Sequence, residues 1–197
     1  MMTRYLAHFR FFILTTPVLF FFTVVGAQNY KSVKSWPEEV NNQLESFLNS
    51  TRVIQERKVA VFDCDGTLFG QVPHYLADEA LYHFAKMNYE GKKDAVSKQK
   101  MQIIDQLLNG NNVGLQYVST RINFLSGMTT REVSEMGKHL FHSKYQQKMY
   151  PQMRELLANL KEYGFEIWVL TASPELLYQQ FVHEELGIPV DRILGVK

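Results

Sequence analysis

The feature that most restricts the fold of this chain is a short apolar run that ends in two carboxylates. Residues 59–62, Val-Ala-Val-Phe, are continuously apolar, and Asp63-Cys64-Asp65-Gly66-Thr67 follows directly. A continuous apolar run of this length is typical of a strand buried on both faces, as in a parallel sheet. Ligands of open α/β sheets bind at the carboxyl ends of the strands. The pattern therefore predicts an α/β fold with a polar site at the end of its first strand.

Polar side chains also follow a second predicted strand. Residues 165–170, Phe-Glu-Ile-Trp-Val-Leu, are apolar except for Glu166, and Thr171-Ala172-Ser173 follows directly. A hydroxyl at a strand end that leads into a helix N-terminus is suited to bind phosphate. Each motif alone has an ordinary interpretation, an Asp-Gly turn for the first and a strand-end cap for the second. Because parallel strands end at one edge of a sheet, their joint occurrence favours a single site.

The sequence between these two strands is helical from about residue 73 to residue 143. Thr129 with Glu132 forms a capping box there, and Ser35 with Glu38 forms another near the start of the chain. One predicted apolar face consists of Leu115, Val118, Ile122 and Leu125. The helical block is too long for a plain crossover connection, so we interpret it as an inserted cap. The predicted division is a signal peptide at 1–27, an α/β core at 28–72 and 144–197, and a helical cap at 73–143.

The N-terminal segment has the pattern of an export signal. Arg4 and Arg10 precede an apolar stretch over residues 11–25, and Val25-Gly26-Ala27 ends it before polar residues. The stretch is shorter than the ~20 residues that span a bilayer comfortably. We predict cleavage after Ala27 and a periplasmic or secreted protein, with an uncleaved membrane anchor as the alternative. The one cysteine, Cys64, excludes an intramolecular disulfide and suits an oxidising compartment.

The charge balance bears on the class of partner. The formal net charge is +1, so no broad basic surface indicates nucleic-acid binding. The paired carboxylates indicate instead a metal or a division of catalytic roles between two acids. Magnesium fits such a site because it prefers oxygen ligands and shares them with phosphate. The family resemblance described next implies a small phosphate ester as the substrate. We expect contact with the membrane only through the export signal, and the sequence leaves the oligomeric state open.

These motifs resemble those of the haloacid dehalogenase-like phosphatase superfamily. Asp63-x-Asp65-Gly66-Thr67 matches its first motif and Thr171 its second. Within the superfamily, the helical cap and the segments Tyr150-Pro151 and 170–175 resemble the branch that contains phosphoserine phosphatases and secreted bacterial phosphorylcholine phosphatases. The resemblance extends from about Ser35 to the end of the chain. It implies a Rossmann-like parallel-sheet core with an inserted helical cap.

The resemblance also implies a role for each matching residue. Asp63 would be the nucleophile that forms an aspartyl-phosphate, and Asp65 would be the general acid and then the general base. Asp63, through its carboxylate, and Asp65, through its backbone carbonyl, would bind Mg²⁺. Thr171 would hold a phosphoryl oxygen, helped by backbone N–H groups near Ala172 and Ser173. Cys64 would be a packed spacer between the aspartates.

Two further motifs of the superfamily lie beyond the third strand, a phosphate-binding lysine and a later acidic motif. The chain ends at Lys197, which follows that predicted strand too closely to be the expected lysine. From this we expect a core that is incomplete at its C-terminus, and a 197-residue chain that is a fragment or truncated product of a phosphatase and is not itself a competent one.

The cap is expected to select the substrate. Five aromatic residues could form a box for a quaternary ammonium group, as in phosphocholine: Tyr75, Tyr82, Phe84, Tyr117 and Phe124. Residues 69–74 lack the glutamate that phosphoserine phosphatases usually carry after the first motif. The alternatives are a non-catalytic protein that binds phosphate esters and an interaction protein derived from such a phosphatase.

Overall fold

The computed structural model describes residues 29–197, so the predicted signal peptide lies outside the described residues. Three parallel strands form one sheet in the order β1 (Lys58–Phe62), β2 (Phe165–Pro174) and β3 (Ile193–Val196). Seven α-helices accompany them in the described part of the chain: α1 (Glu38–Ser50), α2 (Leu76–Asn88), α3 (Ala95–Asn109), α4 (Gly114–Leu125), α5 (Thr130–Leu140), α6 (Pro151–Glu162) and α7 (Glu175–Leu186). The predicted α/β class with a parallel sheet is confirmed. None of the described helices combines the length and the apolar character that crossing a membrane requires.

The register of the sheet brings the two predicted motifs to the same edge. Phe62 is paired with Val169 at the end of the β1–β2 ladder. The residues that follow on each strand, Asp63 and Leu170, are therefore neighbours, and Thr171 comes next. The helices α2 to α5 all lie between β1 and β2 in the chain, as expected for the helical block.

The prediction that β1 is buried on both faces is wrong for the described residues. Val59 is 42% exposed and Val61 is 56% exposed. These two side chains share one face because side chains alternate along a strand. β1 is an edge strand, and the residues of 29–197 leave this face of it open to solvent.

The buried face of α4 also differs from the predicted one. Leu115 is 82% exposed, whereas Tyr117 and Arg121 are buried on the face that meets the rest of the protein. The helix is therefore rotated from the orientation that its aliphatic residues favour. A polar network that includes Arg121, described below, favours this rotation, because it brings the buried guanidinium within hydrogen-bond distance of the Ala172 carbonyl and the Ser173 hydroxyl.

The two predicted capping boxes have different outcomes. Thr129 and Glu132 exchange the expected hydrogen bonds at the start of α5, so this box is confirmed. Ser35 does not cap α1, whose N-cap is Pro37. The side chain of Asn41 binds the preceding loop instead, accepting from the Val33 N–H at 2.7 Å and donating to the Trp36 carbonyl at 3.1 Å.

Candidate active site

A tight turn after β1 presents the first motif. The Gly66 N–H donates to the Phe69 carbonyl at 2.7 Å, and the Leu68 N–H donates to the Cys64 carbonyl at 2.9 Å. Gly66 has φ +78°, a left-handed conformation that favours glycine. A Cβ atom there would also lie 2.8 Å from Oε1 of Gln71. The turn therefore requires glycine at this position of the motif.

Aromatic packing holds this turn in place. Phe69 is 1% exposed and makes edge-to-face contacts with Phe141, Tyr145 and Phe181. Phe141 and Phe181 stack with ring centroids 4.3 Å apart. Buried aromatic clusters of this kind are rigid because protein interiors are closely packed. The turn that carries Asp63 and Asp65 is thus anchored to α7 and to the segment after α5.

All five residues that the sequence singled out line one cavity of about 300 Å³. These are Asp63, Asp65, Thr171, Ala172 and Ser173. Asp63 is exposed at the cavity, whereas Asp65 is 8% exposed. Arg121 of α4 lines the same cavity. The site thus combines two carboxylates, a hydroxyl and a buried guanidinium at the carboxyl end of the sheet.

The carboxylate of Asp65 is held by two donors from other parts of the chain. Its Oδ2 accepts from the Tyr178 hydroxyl at 2.6 Å, and its Oδ1 accepts from the Leu76 N–H at 3.2 Å. Burial raises the pKa of Asp65 to about 6, although these two hydrogen bonds lower it. A pKa near the operating pH is the property that a general acid and base needs.

The raised pKa of Asp65 predicts a pH dependence of stability. The folded protein holds this proton to a higher pH than the unfolded chain does, so Asp65 stabilises the fold below about pH 4 relative to neutral pH. We expect its contribution to the free energy of unfolding to fall by roughly 3 kcal/mol as the pH rises from about 4 to above 6. Denaturant unfolding in metal-free buffer at several pH values measures it, as the difference in the free energy of unfolding between the wild type and Asp65→Asn.

Asp94→Asn is the control variant, because the effect of Asp94 on stability should change with pH in the opposite direction. The N–H and hydroxyl of Ser97 lower the pKa of Asp94, so this residue stabilises the fold at neutral pH and loses that effect as the pH falls. The prediction for Asp65 is contradicted if the free energy of unfolding of the wild type, relative to that of Asp65→Asn, is constant between about pH 4 and 7 or rises with pH.

Cys64 lies between the two aspartates without taking part in the site. It is fully buried in the core, and burial raises the pKa of its thiol well above the ordinary value. A thiol in this state is a poor nucleophile because the thiolate is the reactive form. Its position agrees with the packed spacer that the sequence predicts.

Arg121 joins α4 to the segment that carries the second motif. Its Nη2 donates to the Ala172 carbonyl at 2.8 Å, and its Nη1 donates to the Ser173 hydroxyl at 3.2 Å. The guanidinium also lies over the ring of Tyr117, 4.3 Å from the centroid. Thr171 supports the same segment, since its Oγ1 accepts from the Ser173 N–H at 3.1 Å. Residues 171–173 are therefore fixed both by Arg121 and by a hydrogen bond within the segment.

Asp78 is the acidic partner of Arg121. Its Oδ1 lies 4.0 Å from Nη1 of Arg121, and its Oδ2 accepts a short hydrogen bond from the Tyr117 hydroxyl. Burial raises the pKa of Asp78, while Tyr117 and Arg121 lower it. Both Oδ1 of Asp78 and Nε of Arg121 are buried without a hydrogen-bond partner among the described residues. Unpaired buried polar atoms are costly and are often found where a ligand or water binds.

A second cavity of about 330 Å³ adjoins the first. The two share four lining residues: Gln71, Tyr75, Asn112 and Tyr117. The second cavity is further lined by His74, Asp78 and Tyr82. Of the five aromatic residues considered for substrate recognition, Tyr75, Tyr82 and Tyr117 line this cleft. The other two, Phe84 and Phe124, pack against Tyr89 instead.

The donor set suits magnesium but is small. The Asp63 carboxylate is exposed at the cavity, whereas both oxygens of the Asp65 carboxylate accept hydrogen bonds from the protein. Asp65 therefore has its backbone carbonyl to offer a metal. Within residues 29–197, no three side chains of His, Cys, Asp or Glu are grouped as metal ligands. Magnesium often binds through one or two protein oxygens and completes its shell with water and phosphate, so the residues present fit it.

The sequence motifs did not predict three residues of the site: Arg121, Asp78 and Tyr178. Arg121 carried a signal, since it is a charged residue beside Val118 and Ile122 on a predicted amphipathic helix, and buried charges are usually paired. Asp78 was indistinguishable from an acidic residue in the first turn of a helix. Tyr178 gave no signal at all.

The site lies within a region of the chain that matches a known protein family. The family model of haloacid dehalogenase-like hydrolases matches residues 60–197. This range begins in β1 and includes every residue of the cavity described above. No curated protein matches the chain.

One solved structure similar to the chain is that of a phosphoserine phosphohydrolase-like protein from Francisella tularensis. The two share 20% identity with a TM-score of 0.45, and the match covers 72% of this chain and 59% of the other. The chain thus spans less than two thirds of the length of that protein.

Proposed function

The chain belongs to the haloacid dehalogenase-like hydrolases, and on that premise we propose that it is an exported, magnesium-dependent phosphomonoesterase. It acts through an aspartyl-phosphate on a small ester with a positively charged leaving group, such as phosphocholine. The observation that carries the proposal is the single cavity that holds Asp63, Asp65, Thr171 and Arg121. A nucleophile, a proton donor and two groups that can bind phosphate are all present in it.

The chemistry follows from these side chains. A carboxylate oxygen of Asp63 attacks phosphorus, and the bond from phosphorus to the ester oxygen breaks. Asp65 gives its proton to the departing alkoxide, which leaves as the alcohol. Asp65, now ionised, takes a proton from water, whose oxygen attacks phosphorus and releases phosphate and free Asp63. The hydroxyl of Thr171 donates to a phosphoryl oxygen, and the guanidinium of Arg121 attracts the anionic group.

Asp63 and the ester are both anionic, so their approach needs positive charge. A pair of unit charges ~4 Å apart at an effective dielectric of ~20 interacts by about 4 kcal/mol. Magnesium bound by the Asp63 carboxylate and the Asp65 carbonyl would supply the charge that offsets this repulsion. Arg121, which lines the same cavity, adds positive charge, although Asp78 partly neutralises the guanidinium.

The adjoining cavity supports a cationic leaving group. Tyr75, Tyr82 and Tyr117 line it, and Asp78 offers a carboxylate whose Oδ1 has no hydrogen-bond partner among the described residues, although it lies 4.0 Å from Nη1 of Arg121. Burial raises the pKa of Tyr82 to about 12, and the nearby charges of Asp78 and Glu79 raise it as well. The negative charges of Asp78 and Glu79 favour a cation in the same place, whereas the charge of Arg121 opposes it. Cations over aromatic rings gain about 0.5–2 kcal/mol, more when water is excluded.

Export rests on the sequence. The basic residues and the apolar stretch of residues 1–27 support an export signal that is cleaved after Ala27. The lone cysteine is buried, so it is protected from forming disulfides with other proteins. Fractionation of cells that express the full sequence, with N-terminal sequencing of the product, tests this part of the proposal.

The substrate proposal predicts a preference for a charged ester over a neutral one of the same shape. We expect kcat/KM for phosphocholine to exceed that for neohexyl phosphate, its uncharged analogue, by about 10-fold. Replacing Tyr82 by Leu should remove most of this preference. Phe84→Leu is the matched control, because Phe84 lies on the same helix but packs against Tyr89 and away from the cleft.

Equal rates for the two esters would contradict the cationic leaving group but not the phosphatase. Hydrolysis of neither ester, nor of an aryl phosphate, by the longest product of the gene in the presence of Mg²⁺ would contradict the phosphomonoesterase itself.

A further inference from the structure

The hydroxyl of Tyr178 lies between the proposed general acid and the first turn of α2. Tyr178 is on α7, is fully buried, and donates to Oδ2 of Asp65 at 2.6 Å. The same hydroxyl oxygen accepts from the Ala77 N–H at 3.2 Å. The Leu76 N–H, one residue earlier, donates to the other oxygen of Asp65. Four groups from three separate parts of the chain thus form one buried network.

This network replaces the usual cap of α2. The first four N–H groups of a helix have no partner within the helix and need one from elsewhere. Tyr75, the N-cap residue of α2, supplies no side-chain hydrogen bond. Asp65 and Tyr178 bind the N–H groups of Leu76 and Ala77 in its place. The position of the N-terminus of α2 and the position of the Asp65 carboxylate therefore depend on each other.

The Ala77 N–H also fixes the direction of the tyrosine hydroxyl. An N–H group can only donate, so it occupies the acceptor side of the Tyr178 oxygen. The hydroxyl hydrogen is then directed to Asp65, and Oδ2 stays an acceptor. Oδ1 has the longer bond, 3.2 Å against 2.6 Å, and is the oxygen left to carry a transferable proton. Tyr178 thus selects which oxygen of Asp65 can act as the acid.

We propose that Tyr178 is a positioning residue that orients the Asp65 carboxylate toward the leaving group. It also couples this orientation to the position of the N-terminus of α2. The proposal rests on the proposed function, since it takes Asp65 to be the general acid. Tyr178 does not line the cavity, so it does not touch the substrate and acts through the residues that it binds. These are Asp65 and, at the second motif, Ser173.

A positioning role has a signature in the choice of leaving group. An alkyl alcohol leaves poorly as an alkoxide and needs the proton from Asp65, whereas nitrophenolate leaves without help. General acid catalysis contributes about 10²–10⁴-fold, and a small misplacement of a catalytic group can remove 10²-fold. For Tyr178→Phe we expect kcat for phosphocholine to fall about 10- to 100-fold, with kcat for nitrophenyl phosphate changed by less than about 3-fold and KM for both nearly unchanged.

Tyr163→Phe is the matched control. Tyr163 is likewise fully buried, and its hydroxyl donates to Oδ1 of Asn49 at 2.9 Å, away from the cavity. We expect this variant to change kcat for both esters by the same small factor. Both variants lose one buried hydroxyl, so a general loss of stability affects them alike.

A second readout needs no turnover. The Ala77 amide depends on the Tyr178 oxygen for its hydrogen bond, so its hydrogen exchange should become at least about 10-fold faster in Tyr178→Phe than in Tyr163→Phe. Unchanged exchange at Ala77, or equal losses for the alkyl and aryl esters, would overturn the proposal. If the wild type hydrolyses neither ester while exchange at Ala77 responds as expected, the proposed function fails and the link between Tyr178 and α2 stands.

Discussion

Replacing Asp63 by asparagine is expected to abolish phosphate-ester hydrolysis and to leave the fold intact. An amide is not a nucleophile towards phosphorus, so we expect kcat to fall at least about 10⁴-fold. Asp63 is exposed at the end of β1, so the change should alter the free energy of unfolding by less than about 0.5 kcal/mol. Steady-state kinetics with an aryl phosphate and Mg²⁺, together with denaturant unfolding, provide the two measurements.

The same variant separates the three classes of function. Loss of turnover with retained binding of an inert phosphate ester supports the phosphatase. A wild type that binds the ester without hydrolysing it, and a variant that binds equally well or better, would indicate a non-catalytic binding protein. A wild type that neither binds nor hydrolyses phosphate esters would indicate an interaction protein. Asp191→Asn, on the exposed segment before β3, is the control for a general effect of removing a carboxylate.

Replacing Arg121 by methionine is expected to give the largest loss of stability of any change at the site. Arg121 and Asp78 are both buried, and the substitution leaves the Asp78 carboxylate without its cation. Removal of one partner of a buried ion pair typically costs about 3–5 kcal/mol. Denaturant unfolding at neutral pH measures the loss. Arg57→Met, which breaks an exposed pair with Glu166, should cost no more than about 1 kcal/mol.

A double-mutant cycle identifies the cause of this loss. Arg121 lowers the pKa of Asp78, whereas burial, the larger effect, raises it. Adding Asp78→Asn to Arg121→Met removes the uncompensated charge, so we expect the double variant to be more stable than the sum of the single changes predicts. The loss for Arg121→Met should also shrink at acidic pH, where Asp78 takes up a proton. Additive losses, or a cost no larger than that of Arg57→Met, would contradict the account.

The sequence carries the catalytic motifs because each is contiguous and lies at a strand end. Asp63 and Asp65 follow one apolar run and Thr171 follows another, so the parallel sheet alone brings them together. The Tyr178 network could not be predicted in this way. Tyr178 is 113 residues from Asp65 and 101 from Ala77, and tyrosine on an apolar helix face is ordinary core.

The orientation of α4 shows why apolar spacing can mislead. Leu115, Val118, Ile122 and Leu125 satisfy helical periodicity, yet Leu115 is exposed and Arg121 is buried. Aliphatic residues on a short helix can mark a face that only partly meets the core. The binding of Arg121 to Ala172, Ser173 and Asp78 favours the observed rotation, and those partners come from β2 and α2. Such long-range polar pairing has no local signature.

The proposed reaction depends on a covalent bond between Asp63 and phosphorus. Its most direct test is to quench the protein during turnover of an aryl phosphate in the presence of Mg²⁺, and to map phosphorylated peptides by mass spectrometry. We expect one acid-stable, base-labile phosphoryl group on the carboxylate of Asp63, absent from Asp63→Asn and still formed in Asp65→Asn. A phosphoryl group on another residue, or turnover at full rate in Asp63→Asn, would contradict it.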